Sequence, residues 1–184
     1  RNAIYMAYGM GAHITVIGNN VEQLQSIAQD YPERLQVLMA TPENIEQTAM
    51  KADLLILSAL VVGASAPVLI TRDILKKMEP GTVMVDVSVD QGGCAETTRP
   101  TTHHDPIYIE EGVVHYCVAN MPGAVPRSAS LALNYATLPF ALEIANKGIM
   151  RSVKENEAIY NGVNTYGGHL VYEPIASSHN MKFT

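Results

Sequence analysis

The sequence predicts an α/β fold: a parallel sheet wound on both faces by helices, followed by a helical C-terminal segment. Apolar runs of β type recur along the first part of the chain, and helical patterns separate most of them. Several runs are apolar throughout rather than alternating, as in LLILSAL, TVMVDV and VVHYCV. Strands that are covered on both faces have this pattern, so a doubly wound parallel sheet is expected.

Five of these apolar runs are predicted to form the strands, at residues 13–17, 35–39, 54–60, 82–87 and 113–118. The first helix between strands covers residues 21–31 and places Leu24, Ile27 and Ala28 on one face. Asn20, followed by Gln23 three residues later, is typical of a helix N-cap. The alternation therefore begins as strand, helix, strand.

Two further helices are predicted before the sheet ends. After residue 39, Thr41 is a suitable N-cap and Pro42 suits the first turn of a helix. Residues 71–78 form the next helical pattern, which Pro80 and Gly81 terminate. Each helix lies between two apolar runs, as parallel strand connections require.

The chain changes character after residue 126. Residues 128–147 form a long helical pattern that is apolar nearly all round, interrupted by Pro139 and closed by Gly148. A helix without a polar face is expected to be buried between layers or between subunits. Residues 150–184 are more polar and contain several glycines, so a small helix and an irregular tail are expected there.

Composition and charge exclude several classes of protein. Hydrophobic residues make up 47% of the 184-residue chain and charged residues 16%, which indicates a folded protein. The net charge is −6 and the basic residues are scattered, so neither nucleic acid nor an anionic membrane is an expected partner. The uncharged stretch 54–71 is interrupted by Gly63, Ser65 and Pro67, and a buried strand with a loop explains it better than a membrane span.

The remaining polar and sulfur groups give weaker signals. His103 and His104 stand next to Asp105, but no third ligand is evident, so a solvated loop is expected rather than a metal site. His115 is interpreted as a strand histidine with its hydrogen bonds satisfied. The two cysteines, Cys94 and Cys117, lack metal-ligand spacing and are expected to be buried in a protein of a reducing compartment. Met6, Met10 and the apolar stripe of residues 131–145 are predicted to lie in the core.

Candidate functional residues follow the strands, because ligands of open α/β sheets bind beyond the carboxyl ends of the strands. DVSVDQGG places Asp90 before Gly92 and Gly93, which let a ligand approach the backbone closely. Asp90 is therefore predicted to be functional; the alternative is that it caps or hydrogen-bonds its own loop. Asp86, nearer the strand interior, is interpreted as a structural hydrogen-bonding residue. ANMPGAVP is the second informative loop, since its density of Pro and Gly exceeds what a connection needs.

A dinucleotide-binding glycine fingerprint follows a strand and opens a helix. The Gly9-Met10-Gly11 triplet instead follows a helical pattern and opens a strand, so it is interpreted as a helix stop. No other glycine cluster matches, and the chain is expected to begin just inside the helix that such a loop would open. Gly18 occupies the position of an acidic ribose ligand, where Asn19 or Asn20 would be a weaker acceptor.

Two long stretches resemble bacterial alanine dehydrogenase: VDVSVDQGGCAETTRPTTHHDP and GVVHYCVANMPGAVPRSASLALNYATLPFALEIANKG. The likeness extends from NAIYMAYGMGAHITV to NGVNTYGGHLVYEPIA, and so covers nearly the whole chain. The related NAD-binding subunit of proton-translocating transhydrogenase shares the fold but carries a different segment in place of VANMPGAVP.

The resemblance implies an oxidoreductase that reversibly converts L-alanine, NAD and water into pyruvate, ammonium and NADH. It also implies a cytoplasmic homo-oligomer, usually a hexamer. Residues 1–126 would be a Rossmann-type NAD-binding domain without its first strand and Gly-rich loop. Residues 127–184 would be a connecting helix and the C-terminal part of the substrate domain. The family's substrate-binding arginine and lysine and its catalytic histidine would precede this chain, which alone is expected not to oxidise alanine.

The resemblance also assigns site residues. Asp90 matches the active-site aspartate beside the nicotinamide, and no metal is implied. Gly18 replaces the family's ribose-binding aspartate, and Ala40 stands where serine is common; both departures concern cofactor affinity rather than fold. The positions that match cofactor contacts are Ala40, Ala59, Leu60, Val87, Ser88, Val89, Asp90, Arg99, Val118, Ala119, Asn120 and Met121.

Two other functions stay open at this point. One is a nucleotide-binding or assembly module that keeps the fold but has lost turnover. The other is the transhydrogenase subunit, which requires a membrane partner and is disfavoured by the VANMPGAVP loop.

Overall fold

The computed structural model describes residues 1–183 as a set of helices and short, mostly parallel strands. Two short 3-10 helices, Val89–Gln91 and Met121–Ala124, follow strands. In chain order the other elements are α1 (Asn2–Gly9), β1 (Ile14–Gly18), α2 (Val21–Asp30), β2 (Leu35–Met39), α3 (Pro42–Ala49), β3 (Leu54–Leu57), α4 (Arg72–Leu75), β4 (Val83–Asp86), β5 (Ile107–Glu110), β6 (Val113–Tyr116), α5 (Pro126–Lys147), α6 (Ile149–Glu155), α7 (Glu157–Asn161), β7 (Thr165–Tyr166), β8 (His169–Leu170) and α8 (Glu173–Ser178).

The strands of the α/β part form two sheets. β1 pairs in parallel with β2, and β3, β4 and β6 form a second parallel set in the order β3-β4-β6-β5. The helix α3 connects the two sheets, because it contacts β1 while its Ile45 and Ala49 pack in the core beside β3. The predicted α/β class with a predominantly parallel sheet is confirmed.

Strand β5 was not predicted from the sequence. It pairs antiparallel with β6 and forms the edge of the larger sheet. The two strands are joined by Glu111 and Gly112, whose φ angles are +51° and +80°. Two-residue hairpin turns of this kind need positive φ at both positions, and glycine supplies it only at the second. The first position holds Glu111, where Asn, Asp or Gly is typical, so the sequence signal for the hairpin was weak.

The helix ends follow the predicted capping residues. The Asn20 side chain accepts a hydrogen bond from the Gln23 N–H, and the Thr41 hydroxyl accepts one from the Asn44 N–H. The helix α1 ends at Gly9, and Gly11 has a φ of +86°, so this glycine pair is a helix stop as expected. The Asn20 and Thr41 side chains pair with backbone N–H groups that a helix leaves unsatisfied.

The larger sheet has one buried face. Leu57, Met84 and Val113 lie on it and pack with Ala49 of α3 and Leu75 of α4. The opposite face is apolar and exposed in residues 1–183: Leu54 and Ile56 are 53% and 40% accessible, and Ile107 and Ile109 on β5 are exposed as well. The sequence pattern predicts that this face is covered as well, but residues 1–183 do not cover it.

The helix α5 differs from its prediction in three ways. It begins at Pro126, it continues without a break through Pro139, and none of its residues is buried in the described chain. Placing the stripe of residues 131–145 in the core is therefore wrong for the described chain, and so is placing Met6 and Met10 there. An apolar helix still requires a covering surface, which residues 1–183 do not provide.

The C-terminal segment is more regular than expected. It contains α6, α7, a hairpin of β7 and β8, and α8, instead of one small helix and an irregular tail. Gly167 and Gly168 form the hairpin turn with φ angles of +57° and +83°. Among residues 1–183, no helix combines the length and hydropathy that crossing a membrane requires.

Candidate functional site

The carboxyl ends of β3, β4 and β6 meet at one edge of the larger sheet, because these strands are parallel. Ligands of open α/β sheets bind at this edge. The loops that follow the three strands contain most of the predicted site residues, which are Ala59, Leu60, Val87, Ser88, Val89, Asp90, Val118, Ala119, Asn120 and Met121. The topology therefore brings three separate sequence segments to one place.

The loops after β3 and β4 are joined by hydrogen bonds. The Ser88 hydroxyl donates to the Ala59 carbonyl at 2.8 Å, and the Val87 N–H donates to the Leu57 carbonyl at 2.8 Å. Ser88 is nearly buried, whereas Leu60 and Val87 are exposed. A ligand at this edge would meet the side chains of Leu60 and Val87.

Asp86 anchors the loop that follows β4. Its side chain is fully buried and accepts hydrogen bonds from the Ser88 N–H at 2.9 Å, the Cys94 N–H at 2.6 Å and the Thr98 hydroxyl at 2.6 Å. A buried carboxylate with three donors is well satisfied. The interpretation of Asp86 as a structural residue is confirmed.

The two glycines of this loop have different roles. A Cβ on Gly93, whose φ is +81°, would lie 2.2 Å from Thr98 Cγ2 and 2.9 Å from Asp86 Oδ2. Gly92 has a φ of +98° but open space around it. Gly93 is therefore required by packing inside the loop, and only Gly92 leaves room for close approach of a ligand.

Asp90 lies in the short 3-10 helix of this loop and is exposed. Its neighbour Val89 is buried and fixes the turn. Within residues 1–183 the Asp90 carboxylate makes no hydrogen bond or ion pair, so it does not order its own loop. The carboxylate is held at the sheet edge by Asp86 and Val89 and is accessible to a ligand.

The loop after β6 is fixed by the segment 101–105, which we term the strap. Thr101 N–H donates to the Cys117 carbonyl at 2.9 Å, and its own carbonyl accepts from the Ala119 N–H at 3.3 Å. His103 Nε2 lies 2.6 Å from the Asn120 carbonyl, so this nitrogen carries the proton and donates. Sequence reasoning placed His103 in a solvated loop and did not predict this contact.

Arg99 lies against the hairpin of β5 and β6. Its guanidinium carbon is 3.9 Å from the centre of the Tyr108 ring, and its main-chain N–H donates to the Tyr108 hydroxyl at 3.0 Å. The Tyr108 hydroxyl in turn donates to the Thr97 carbonyl at 2.7 Å. Arg99 is exposed, so a predicted cofactor contact has a fixed, accessible position.

His115 lies behind Tyr108 and is satisfied, as expected. Its Nδ1 donates to the Val113 carbonyl at 2.9 Å, and its Nε2 accepts from the Thr97 hydroxyl at 2.8 Å. Burial lowers the pKa of His115 and raises the pKa of Tyr108, so both side chains are neutral near neutral pH.

The carboxyl end of β1 belongs to the smaller sheet, which β1 forms with β2 and which is not hydrogen-bonded to the larger sheet. The Ala40 N–H donates to the Gly18 carbonyl at 2.9 Å, so these two predicted positions are adjacent. The Asn20 side-chain oxygen is committed to the Gln23 N–H, which leaves Asn19 as the remaining amide acceptor beside Gly18. A Cβ added at Gly18 would meet only the Leu24 side chain, at ordinary van der Waals distance.

Two of the apolar predicted contacts have buried side chains. Val89 is 5% exposed and Val118 is 1% exposed, so only their main-chain atoms are available to a ligand. Cys94 and Cys117 are buried free thiols, as expected. Within the described part of the chain, no three His, Cys, Asp or Glu side chains converge to hold a metal ion.

Comparison with known proteins identifies the family. The sequence profile described as "Alanine dehydrogenase/PNT, C-terminal domain" matches residues 1–173. The chain belongs to this family. It is 44% identical to the alanine dehydrogenase of Halomonas elongata over 182 residues, which are 99% of this chain and 49% of that protein. The chain therefore spans about half the length of the curated relatives it matches.

Solved structures agree with the alanine dehydrogenase/PNT assignment. An L-alanine dehydrogenase structure matches with a TM-score of 0.82 and 40% identity, over 97% of this chain and 49% of the other. A transhydrogenase from Sinorhizobium meliloti matches with a TM-score of 0.53 and 24% identity, over 88% of this chain and 49% of the other. The second likeness shows the fold alone.

Proposed function

We propose that this chain is the NAD-binding half of an alanine dehydrogenase, which converts L-alanine, NAD⁺ and water into pyruvate, ammonium, NADH and a proton. The observation that carries the proposal is the Asp90 carboxylate, exposed and unpaired in residues 1–183, on a loop that the buried Asp86 fixes at the sheet edge. The alanine dehydrogenases among the relatives support the choice of reaction.

The residues at the sheet edge fit NAD. Leu60 and Val87 offer exposed apolar surface, and Gly92 leaves room beside the backbone. Arg99 offers a guanidinium without an ion-pair partner in residues 1–183, and guanidinium groups recognise phosphates. Bound NAD would supply the hydride acceptor for the oxidation.

The other residues predicted to contact the cofactor either offer main-chain groups or lie at the end of the smaller sheet. Val89 and Val118 would present main-chain groups, since their side chains are buried. Ser88, whose N–H and hydroxyl are already hydrogen-bonded, would hold the loop in place beside the cofactor. Ala40 would lie near the ribose together with Gly18. The further positions that we assign to cofactor contact are Ala59, Ala119, Asn120 and Met121.

Asp90 has the chemistry that the reaction requires. Oxidation of an amine to an imine and addition of water need a group that accepts and returns protons. They also need a group that stabilises developing positive charge. We assign both roles to the Asp90 carboxylate, because the neighbouring Asp86 is occupied by three donors.

The same proposal extends to domains and assembly. Residues 1–126 form the NAD-binding domain, and residues 127–184 form a connecting helix and part of the substrate domain. The apolar surface of α5 is then covered by another domain or subunit of a homo-oligomer, a hexamer in this proposal. The protein acts in the cytoplasm.

The test is an assay of the full-length protein with NAD and L-alanine, followed by the reverse reaction with pyruvate, ammonium and NADH. We expect NADH to form only when alanine is present. NADH binding without turnover would instead indicate a non-catalytic nucleotide-binding module. Hydride exchange between two nicotinamide cofactors would indicate a transhydrogenase subunit.

A further inference from the structure

We infer that Tyr108 is a positioning residue for Arg99, whose guanidinium it holds ready for the phosphates of the cofactor. The inference rests on the proposed function, since it takes Arg99 as a cofactor contact. It concerns a residue on β5, a strand that no sequence pattern had connected with the site.

Tyr108 contacts Arg99 through both its ring and its hydroxyl. The guanidinium carbon lies 3.9 Å from the ring centre, well within the range of a cation–π interaction. The hydroxyl accepts the Arg99 N–H at 3.0 Å and donates to the Thr97 carbonyl at 2.7 Å. One side chain therefore fixes the main chain at residues 97 and 99 and the side chain of Arg99.

The Tyr108 ring itself has a rigid support. It stacks on the His115 ring, with the two ring centres 4.7 Å apart and the planes 27° from parallel. His115 is fully buried, and both of its nitrogens are hydrogen-bonded. His115 and Tyr108 are both neutral near neutral pH, so neither side chain repels or neutralises the positive charge of Arg99.

Arg99 is charged, exposed and without an acidic partner in residues 1–183, which leaves its positive charge available to an anion. A free arginine side chain loses rotamer freedom when it binds a ligand, and this loss weakens binding. A guanidinium that is already stacked on a ring loses less. Tyr108 therefore contributes to cofactor affinity without touching the cofactor.

The experiment is NADH titration of the full-length protein, followed by fluorescence, with thermal unfolding of each variant as a fold check. The variants are Tyr108→Phe, Tyr108→Leu, Arg99→Met and the Tyr108→Leu/Arg99→Met double variant. We expect Arg99→Met to weaken binding about tenfold and Tyr108→Leu about three- to tenfold. Tyr108→Phe keeps the ring and should bind within about threefold of the wild type.

The double variant decides between positioning and general structural support. If Tyr108 acts through Arg99, the double variant binds NADH no more weakly than Arg99→Met alone. Additive losses, or unchanged binding by a folded Tyr108→Leu variant, would overturn the inference. Should Tyr108→Leu fail to fold, Arg99→Lys replaces it: lysine keeps the charge but not the planar stack, and binding equal to wild type would overturn the inference.

Failure of the proposed function has a different signature. A wild-type protein that does not bind NADH, or an Arg99→Met variant that binds it normally, would remove Arg99 from the cofactor site and the inference with it. If Arg99→Met weakens NADH binding and a folded Tyr108→Leu variant does not, the inference is rejected but the proposed function is not.

Discussion

Asp86, the last residue of β4, and Asp90, on the loop that follows this strand, have opposite surroundings. Asp86 is buried with three donors, whereas Asp90 is exposed and has no partner in residues 1–183. Their order along the strand was sufficient to predict this division from sequence, because a residue inside a buried strand must satisfy its polar atoms locally. The different roles of Gly92 and Gly93 were not predictable, since they depend on where Thr98 returns to the loop.

Gly93 should be far less tolerant of a side chain than Gly92. Both have positive φ, which costs an alanine about 1–2 kcal/mol. At Gly93 the new methyl group also overlaps Thr98, which adds about 1–3 kcal/mol. Chemical denaturation of Gly93→Ala and of the matched control Gly92→Ala would measure the difference, and equal losses of stability would show that the loop relaxes around the methyl group.

Gly18→Asp should tighten NAD binding. The backbone at Gly18 does not need glycine, and a Cβ would meet only the flexible Leu24 side chain at 3.4 Å. A carboxylate there would accept charge-assisted hydrogen bonds from ribose hydroxyls, worth roughly 1.5–3 kcal/mol. Calorimetric titration of the full-length protein with NAD checks this. Equal or weaker binding by the variant would mean that Asn19 already fills the role or that the ribose lies elsewhere.

At the scale of elements, local patterns predicted the helix starts and missed one strand. Asn20 and Thr41 cap helices because each pairs with a backbone N–H three residues later, a relation visible in sequence. Strand β5 was missed because its turn has Glu111 where Asn, Asp or Gly is typical. The contacts of the strap with the loop after β6 join segments that are distant in sequence, and no periodicity encodes them.

The hairpin of β5 and β6 should make stability depend on pH. Burial lowers the pKa of His115 in the folded protein, while the unfolded value is about 6.5. The unfolded chain therefore binds more protons below about pH 6.5, and the free energy of unfolding decreases as the pH falls through that range, by up to about 1.4 kcal/mol per pH unit. Denaturation at several pH values should show a smaller decrease for His115→Gln. An identical pH dependence in the two proteins would contradict this.

The strap should contribute to cofactor binding through His103. Removing its hydrogen bond to the Asn120 carbonyl loosens the loop that holds Asn120 and Met121, at a cost of about 1 kcal/mol. NADH titration should therefore show about fivefold weaker binding for His103→Ala. His104→Ala is the matched control, because His104 is an exposed neighbour and should not change affinity. Equal NADH affinities of the two variants would show that the strap does not contribute to cofactor binding.

At the scale of the whole molecule, exposed apolar surface is the main departure from expectation. One face of the larger sheet and most of α5 expose apolar side chains within residues 1–183. On α5, Leu133 and Tyr135 are 65% and 79% accessible. The apolar pattern predicts burial of these surfaces, but residues 1–183 leave them exposed. A pattern within one segment indicates that the segment needs a covering surface but not which surface that is, because packing partners are set by the three-dimensional fold.

The central claim is that the carboxylate at the sheet edge takes part in the chemistry of alanine oxidation. Its most direct test is the turnover number of Asp90→Asn in the full-length protein, a change that conserves shape and removes charge. We predict that kcat falls by about 10² or more, while the protein stays folded and binds NAD within about an order of magnitude of the wild type. A stable Asp90→Asn variant with near-normal kcat would contradict the account and remove Asp90 from the reaction.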